Sequence, residues 1–233
     1  HELGGQVLSI DQDSDAIEYV WKKIKNQKSK IKNTDKNSKL EKIYEIDDNW
    51  KIVKGNFANI EEIAKETNFT NVSGVLFDLG VSSHQFEDES RGFSFDSDAE
   101  LDMRMDKNLG VKASVLVNGL SRRELERLFL DLGGEENAWK IAREIERIRK
   151  ILPIKTCRQL SEICKKVGGR TGRLHPATKV FQALRIQVND ELGSLNKGLI
   201  AAYNVLRENG VMVVISFHSL EERIVKNYFK KKE

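Results

Sequence analysis

The stretch Gly74–Ser83, GVLFDLGVSS, decides how this chain is read: an apolar run ends in a carboxylate, a glycine and two hydroxyls. Its β-branched and aromatic residues predict a strand over 74–79 that is buried on both faces, as strands of parallel sheets are. In open parallel sheets ligands sit outside the carboxyl ends of the strands, so Asp78, Gly80, Ser82 and Ser83 would line a crevice. A carboxylate following such a run is costly to bury without partners, which favours a functional Asp78 over a chance one.

Upstream, Gln6–Asp11 (QVLSID) reads as a strand, and a helix follows from about Asp15 to Lys25, capped by Ser14 or equally by Asp13. Asp11 at that strand end fits two readings equally, an acceptor for ribose hydroxyls or an ordinary turn aspartate. Residues 23–48 are dominated by Lys, Asn, Ser and Asp, which predicts a surface insertion with no packed core. Trp50–Gly55 reads as a second strand and Ile60–Glu66 as a helix. Between them, Gly55 allows close backbone approach, and Phe57 suits either an adenine face or the core.

Downstream, apolar residues recur three and four apart from about Leu116 to Val167, so helices interrupt the alternation. A helix over 178–206 with a break near Gly193, an Asn209-Gly210 turn and the strand VMVVISF ending at Phe217 resume it. His218 follows that strand as an acid/base group, a structural residue or an RNA contact, and the sequence does not choose among these. The pattern is an α/β fold with a doubly wound parallel sheet over 1–106 and 178–233, and an inserted helical domain over 107–177.

The 233 residues are 39% hydrophobic and 32% charged, enough for one sizeable core. No apolar run reaches the roughly 18 residues that span a bilayer, and no leader is visible, so a soluble, cytoplasmic protein is expected, or one of an organelle matrix. Cys157 and Cys164 are seven apart in a helical segment, about 10 Å between their Cα atoms, too far for a disulfide. With four scattered histidines, no metal site is expected. Net charge is only +3, but Lys140–Arg185 carries thirteen Lys/Arg against three acids, the footprint of a phosphate-binding face or of a solvated helix surface. Glu87–Asp106 is the reverse, with eight acids against two arginines.

Five blocks, DLGVSSHQF (78–86), RGFSF (91–95), LDMRMD (101–106), HPATKVFQALRIQVNDEL (175–192) and SFHSLEERIVK (216–226), resemble the RsmH/MraW family in order and spacing. That resemblance implies a Rossmann-like, S-adenosylmethionine-dependent methyltransferase sheet with an inserted all-helical RNA-binding domain, acting on N4 of a cytidine in small-subunit (16S) rRNA. It implies cofactor contacts from Asp11, Phe57, Asp78 and Gln85. It makes His175, Lys179, Gln182, Arg185, Asn189 and His218 candidate RNA contacts, with Arg143, Arg147, Arg170, Arg173 and Lys179 on phosphates.

Asp78, with Ser82 and nearby carbonyls, is expected to draw the proton from the cytosine amine, whose lone pair is delocalised into the ring. No metal is needed for an activated sulfonium methyl. The family's opening strand and glycine-rich loop would precede His1, so a partial sequence is expected. Ala99-Glu100 stands where the family has Gly-Pro, and Leu132–Asn137 (LGGEEN) replaces its YGEER-like segment. Without these blocks, the same strand ends would fit a nicotinamide-dependent oxidoreductase or a non-catalytic rRNA-binding protein.

Overall fold

A computed structural model describes all residues except 1–3, 26–28, 34–39, 41, 169–173 and 233. In chain order the elements begin with β1 (Val7–Asp11), α1 (Ser14–Ile24), β2 (Lys30–Asn33), β3 (Lys42–Glu45), β4 (Trp50–Lys54), α2 (Ile60–Thr67) and β5 (Val72–Asp78). The helices α3 (Ser83–Glu87), α4 (Ala113–Gly119), α5 (Arg122–Asp131), α6 (Ala138–Arg149), α7 (Cys157–Gly168) and α8 (Thr178–Asn189) follow. The chain closes with α9 (Glu191–Val205), β6 (Leu206–Ile215) and α10 (Ser219–Lys230). It divides into two compact units, residues 1–80 with 192–233, and residues 81–191.

In the first unit β1 pairs with β4 in parallel, and β3 and β2 continue that sheet antiparallel. Neighbouring residues of β4 point to opposite faces. Ile52 packs with Tyr44, Ile17, Val20 and Trp21 of the α1 side, while Val53 packs with Ile63 of α2. The sheet is therefore covered twice, as a doubly wound sheet must be. Asp13, not Ser14, caps α1, its carboxylate accepting the Asp15 N–H at 2.9 Å. The described part of the Lys/Asn-rich segment is not a coreless insertion as expected. It carries β2 and β3, and Leu40, Tyr44 and Ile46 are buried in the sheet's two cores.

β5 pairs in parallel with β6 as a separate two-stranded sheet, so among the described residues the strands form two sheets instead of one. One face, with Val75, Phe77, Leu79, Met212 and Val214, packs against Leu195, Leu199 and Ala202 of α9 and Ile224, Val225 and Tyr228 of α10. The expectation of burial on both faces fails on the other side. Leu76 is 64% exposed and Val211, Val213 and Ile215 are exposed beside it, because among the described residues no element of the unit covers that face. The Asn209-Gly210 turn falls inside β6, where the register jumps from Val72↔Leu206 to Gly74↔Val211 and Asn209 takes a φ of +58°.

The helical unit runs from Val81 to Glu191, wider than the 107–177 expected, because residues on both flanks supply its core. Phe93, Leu101, Met103 and Met105 on one side and Val180, Phe181 and Leu184 on the other join α4–α7 in one cluster. The helix expected over 178–206 breaks at Asp190, with φ +46°, three residues before Gly193, so that α8 ends at Asn189 and α9 begins at Glu191. Gly133 is required after α5, since a β-carbon there would collide with the backbone oxygens of Lys179 and Phe129. The loop 101–106 places Met103 at φ +63° and is held by two buried side chains. The Arg91 guanidinium donates to the carbonyls of Arg104 and Met105, at 3.0 and 2.9 Å. The Asn189 amide accepts the Met105 N–H at 2.7 Å and donates to the Met103 and Arg185 carbonyls, at 2.8 and 2.9 Å.

Much of the acidic stretch finds cations inside this unit, two of them from the basic stretch. Asp98 pairs with Arg158, Asp96 with Lys165, Glu100 with Lys112, and Asp102 with Arg104. Both cysteines are free and buried, as expected. Burial pushes the Cys157 thiol up to about 12 and raises that of Cys164 as well.

Asn189→Ala leaves the Met105 N–H and the Met103 carbonyl bare, at about 1–3 kcal/mol for each such buried group. A urea titration should show that loss; an unchanged midpoint would remove Asn189 as the clasp of the loop. The native protein should also show no rapid thiol reaction with a disulfide reagent at neutral pH, both cysteines becoming reactive only on unfolding.

Candidate active site and nucleic-acid interface

Parallel pairing gathers the carboxyl ends of β1 and β4. Asp11 is in register with Lys54, and the Gly55 N–H donates to the Asp11 carbonyl at 2.8 Å. The Asp11 carboxylate is exposed and accepts the Asp13 N–H at 2.7 Å, so the turn-forming reading of Asp11 is realised in one oxygen while the side chain stays at the surface. Beside it, Asn56 is the knot of the strand ends. Its amide nitrogen donates to Gln12 Oε1 at 3.2 Å and to Ser194 Oγ of α9 at 3.1 Å, and its oxygen accepts the Ala58 N–H at 2.8 Å.

Phe57 is half-buried. Its ring meets Phe77 edge-to-face, with centroids 5.5 Å apart, and lies on Gly198 of α9, where a β-carbon would come within 2.7 Å of Cδ2. One side of Phe57 thus belongs to the core, as one of its two readings has it, and the rest of the ring is open. Sequence reasoning missed Ser194 and Gly198. A small residue at every fourth position of a helix is the signal for close approach, but nothing in the sequence says what approaches.

Asp78 ends β5 opposite Ile215, and the next residue donates its N–H to the Ile215 carbonyl at 3.2 Å. The buried, partnered carboxylate expected there is instead exposed, and among the described residues it takes part in no hydrogen bond or ion pair. Strand alternation explains this: Phe77 points into the core, so Asp78 points with Leu76 to the uncovered face. Gly80 follows at φ +91°, against the Phe217 ring.

After β6, the ring nitrogens of His218 are buried, with Nε2 at 3.3 Å from Oε1 of Glu221, whose other carboxylate oxygen accepts the Phe217 N–H at 2.9 Å. Burial works to raise the Glu221 pKa, but the imidazole and the backbone N–H groups outweigh it and hold the carboxyl below its ordinary value. Glu221 was missed, although an acid three residues after a strand-end histidine, at a helix start, is a capping signal.

In the helical unit, Ser82 and Gln85 serve each other. The Gln85 side-chain oxygen accepts the Ser82 N–H at 2.9 Å, and the Ser82 hydroxyl accepts the Gln85 N–H at 3.3 Å, opening α3. His175 stacks on Phe95 with centroids 4.7 Å apart, and its Nδ1 accepts the Ala177 N–H at 3.2 Å, fixing the entry to α8. Along α8, Lys179 donates to the Gly134 carbonyl at 2.8 Å, Gln182 is half-buried, and Arg185 holds Glu191 in a two-pronged pair at 2.8 and 2.9 Å.

Asn189 is corrected outright as an RNA contact: it is buried, and both ends of its amide are engaged by backbone. Arg147 shares Glu144 with Lys166, while Arg143 lies over the Trp139 ring. Arg170 and Arg173 lie outside the described residues. The basic stretch therefore offers fewer unpaired cations than its sequence count. No helix of the described residues is long and apolar enough to cross a membrane.

The model of the MraW methylase family matches residues 2–233. A ribosomal RNA small subunit methyltransferase H of Syntrophotalea carbinolica is 52% identical over 179 residues, covering 76% of this chain and 57% of that relative. One of Thermomicrobium roseum is 49% identical over 178 residues, covering 76% and 55%. One of Fusobacterium nucleatum is 40% identical over 226 residues, covering 97% and 66%. The chain spans between about half and two thirds of the length of these curated relatives. No nicotinamide enzyme stands among these relatives. On the match over nearly its whole length, the chain belongs to the MraW methylase family.

Proposed function

We propose that the protein transfers a methyl group from S-adenosylmethionine to the exocyclic N4 of a cytidine in the decoding region of 16S rRNA, acting on that RNA or on the assembled small subunit. The observation that carries this reading is the family match over residues 2–233, joined by relatives at 40–52% identity whose names are those of small-subunit rRNA methyltransferases.

The strand-end residues suit a nucleoside sulfonium by their chemistry. Asp11 offers an exposed carboxylate, the acceptor that a pair of ribose hydroxyls requires, and Phe57 offers the open part of a ring otherwise fixed in the core. The cofactor supplies a methyl group already activated on sulfur. What remains for the protein is orientation and a proton acceptor. Asp78, uncovered and unpaired, accepts a hydrogen bond from the cytosine amine and frees the nitrogen lone pair for attack. As the methyl group is transferred, the Asp78 carboxylate would take the N4 proton, and its exposed position would return that proton to water.

The target base must leave its stack, which costs a few kcal/mol and favours unpaired nucleotides. The helical unit suits the task of holding the flanking phosphates, through Lys179, Arg143 and Arg147.

Mass spectrometry of small-subunit rRNA after incubation with the protein and methyl-labelled cofactor should find the label on cytidine N4. S-adenosylhomocysteine should raise the melting temperature and NAD should not. Label on another base, or stabilisation by NAD, overturns the reading. Asp78→Asn should lower the methyl-transfer rate by about 10²- to 10⁴-fold with the urea midpoint unchanged, as removal of a general base does. Near-native turnover would take Asp78 out of the chemistry.

A further inference from the structure

Helix α6 presents an unusual surface. Its buried stripe is Ala138, Ile141, Ala142 and Ile145, at helical spacing. Between Ala138 and Lys150 the exposed residues are Trp139, Lys140, Arg143, Arg147 and Lys150: four cations, one tryptophan and no acid. The two acids of the segment, Glu144 and Glu146, are only half-exposed, and Glu144 already pairs with Arg147 and Lys166. Arg147 and Lys166 together hold the Glu144 pKa at about 2, so that carboxylate stays charged under all ordinary conditions.

Trp139 is 45% exposed. The Arg143 guanidinium lies over its indole, 5.4 Å from the ring centroid, and nearly half of the residue's surface is open to water. An exposed tryptophan among Lys140, Arg143 and Lys150, none of them in an ion pair among the described residues, is poorly explained as a solvated helix face, for which charge alone would suffice. It has the two parts of a single-strand platform: a flat π surface for a base and a positive rim for the backbone on either side. A duplex offers no unstacked base to such a surface.

We propose that Trp139 is a stacking platform for an unpaired base of the RNA substrate, with Lys140, Arg143 and Lys150 on the flanking phosphates. This rests on the RNA reading above and adds to it the residue that prefers single-stranded over paired substrate. The cations favour RNA over a protein partner, for which an apolar rim or acidic complementarity on the partner would be needed.

The test uses the full chain carrying Trp21→Phe and Trp50→Phe, so that fluorescence reports Trp139 alone, with a short single-stranded oligoribonucleotide of small-subunit sequence and the same strand paired in a duplex. The single strand should quench the emission and the duplex should not. Trp139→Ala should weaken binding of the single strand by about 5- to 100-fold, the range that alanine replacement of a stacking aromatic gives. Trp139→Phe should retain most of the affinity. Trp139→Ala removes no charge and leaves the salt dependence unchanged, whereas Arg143→Ala should lower its slope by about one.

Native-like affinity of Trp139→Ala for the single strand, or equal quenching by the duplex, overturns the platform. If Trp139→Ala leaves RNA binding untouched but abolishes capture of a ribosomal protein, the face belongs to a protein. Absence of salt-dependent RNA binding by the native chain would instead defeat the RNA reading itself, and the platform with it.

Discussion

Strands that run in parallel bring the same kind of end together, and in this protein every strand-end group considered for chemistry depends on that. Asp11 and Lys54 lie side by side because β1 and β4 share direction and register, and Asp78 lies beside Ile215 for the same reason. Helix α1 lies on the crossover from β1 to β4 and α9 on that from β5 to β6, and their apolar stripes, with that of α2, form the cores beneath those ends. A slip of one residue in β4 would exchange Ile52 with Val53 between the two faces and carry Gly55 away from the Asp11 carbonyl. The packing thus fixes the register, and the register fixes which residues stand at the rim.

In the helical unit, a different economy applies to charge. The acidic stretch 87–106 and the basic stretch 140–185 look like separate fields in the sequence, but folding brings much of one onto the other. Arg158 and Lys165 of α7 are matched by Asp98 and Asp96, and Arg185 by Glu191. The two exposed pairs on α7 contribute little to stability, on the order of 0–1 kcal/mol each. The larger effect of all these pairs is to remove α7 and much of α8 from the positive surface, leaving α6 as the segment whose exposed charges have one sign.

Much of this was legible beforehand. The strands at β1, β4 and β5 and the helix α2 follow from local periodicity, because apolar alternation and cap residues act over a few positions. What was not legible depends on partners far away in sequence. Nothing around Gly74–Leu79 reveals that Leu76 faces no cover, since covering is a property of the neighbouring elements. Tyr44 and Ile46 were lost among the lysines and asparagines of 23–48, where composition outweighed two well-placed apolar residues. Asn189 reads as an ordinary polar residue on a helix, and only the distant carbonyl of Met103 and N–H of Met105 make it a clasp. Asp78 ends β5 as the local pattern predicts, but its exposure, in place of the expected compensated burial, depends on elements far away in sequence.

That exposure agrees with its proposed work better than burial would. A carboxylate locked in strong hydrogen bonds is a weak acceptor for a further proton, because each donor stabilises its charged form. Around the β1 and β4 ends, the supports are held fast: Asn56 by Gln12 and Ser194, and the core side of Phe57 by Phe77 and Gly198. The groups proposed to meet the ligand, Asp11 and Asp78, stand at the surface. Rigid supports with open reactive ends are the division of labour expected where geometry, more than intrinsic reactivity, sets the rate of a methyl transfer.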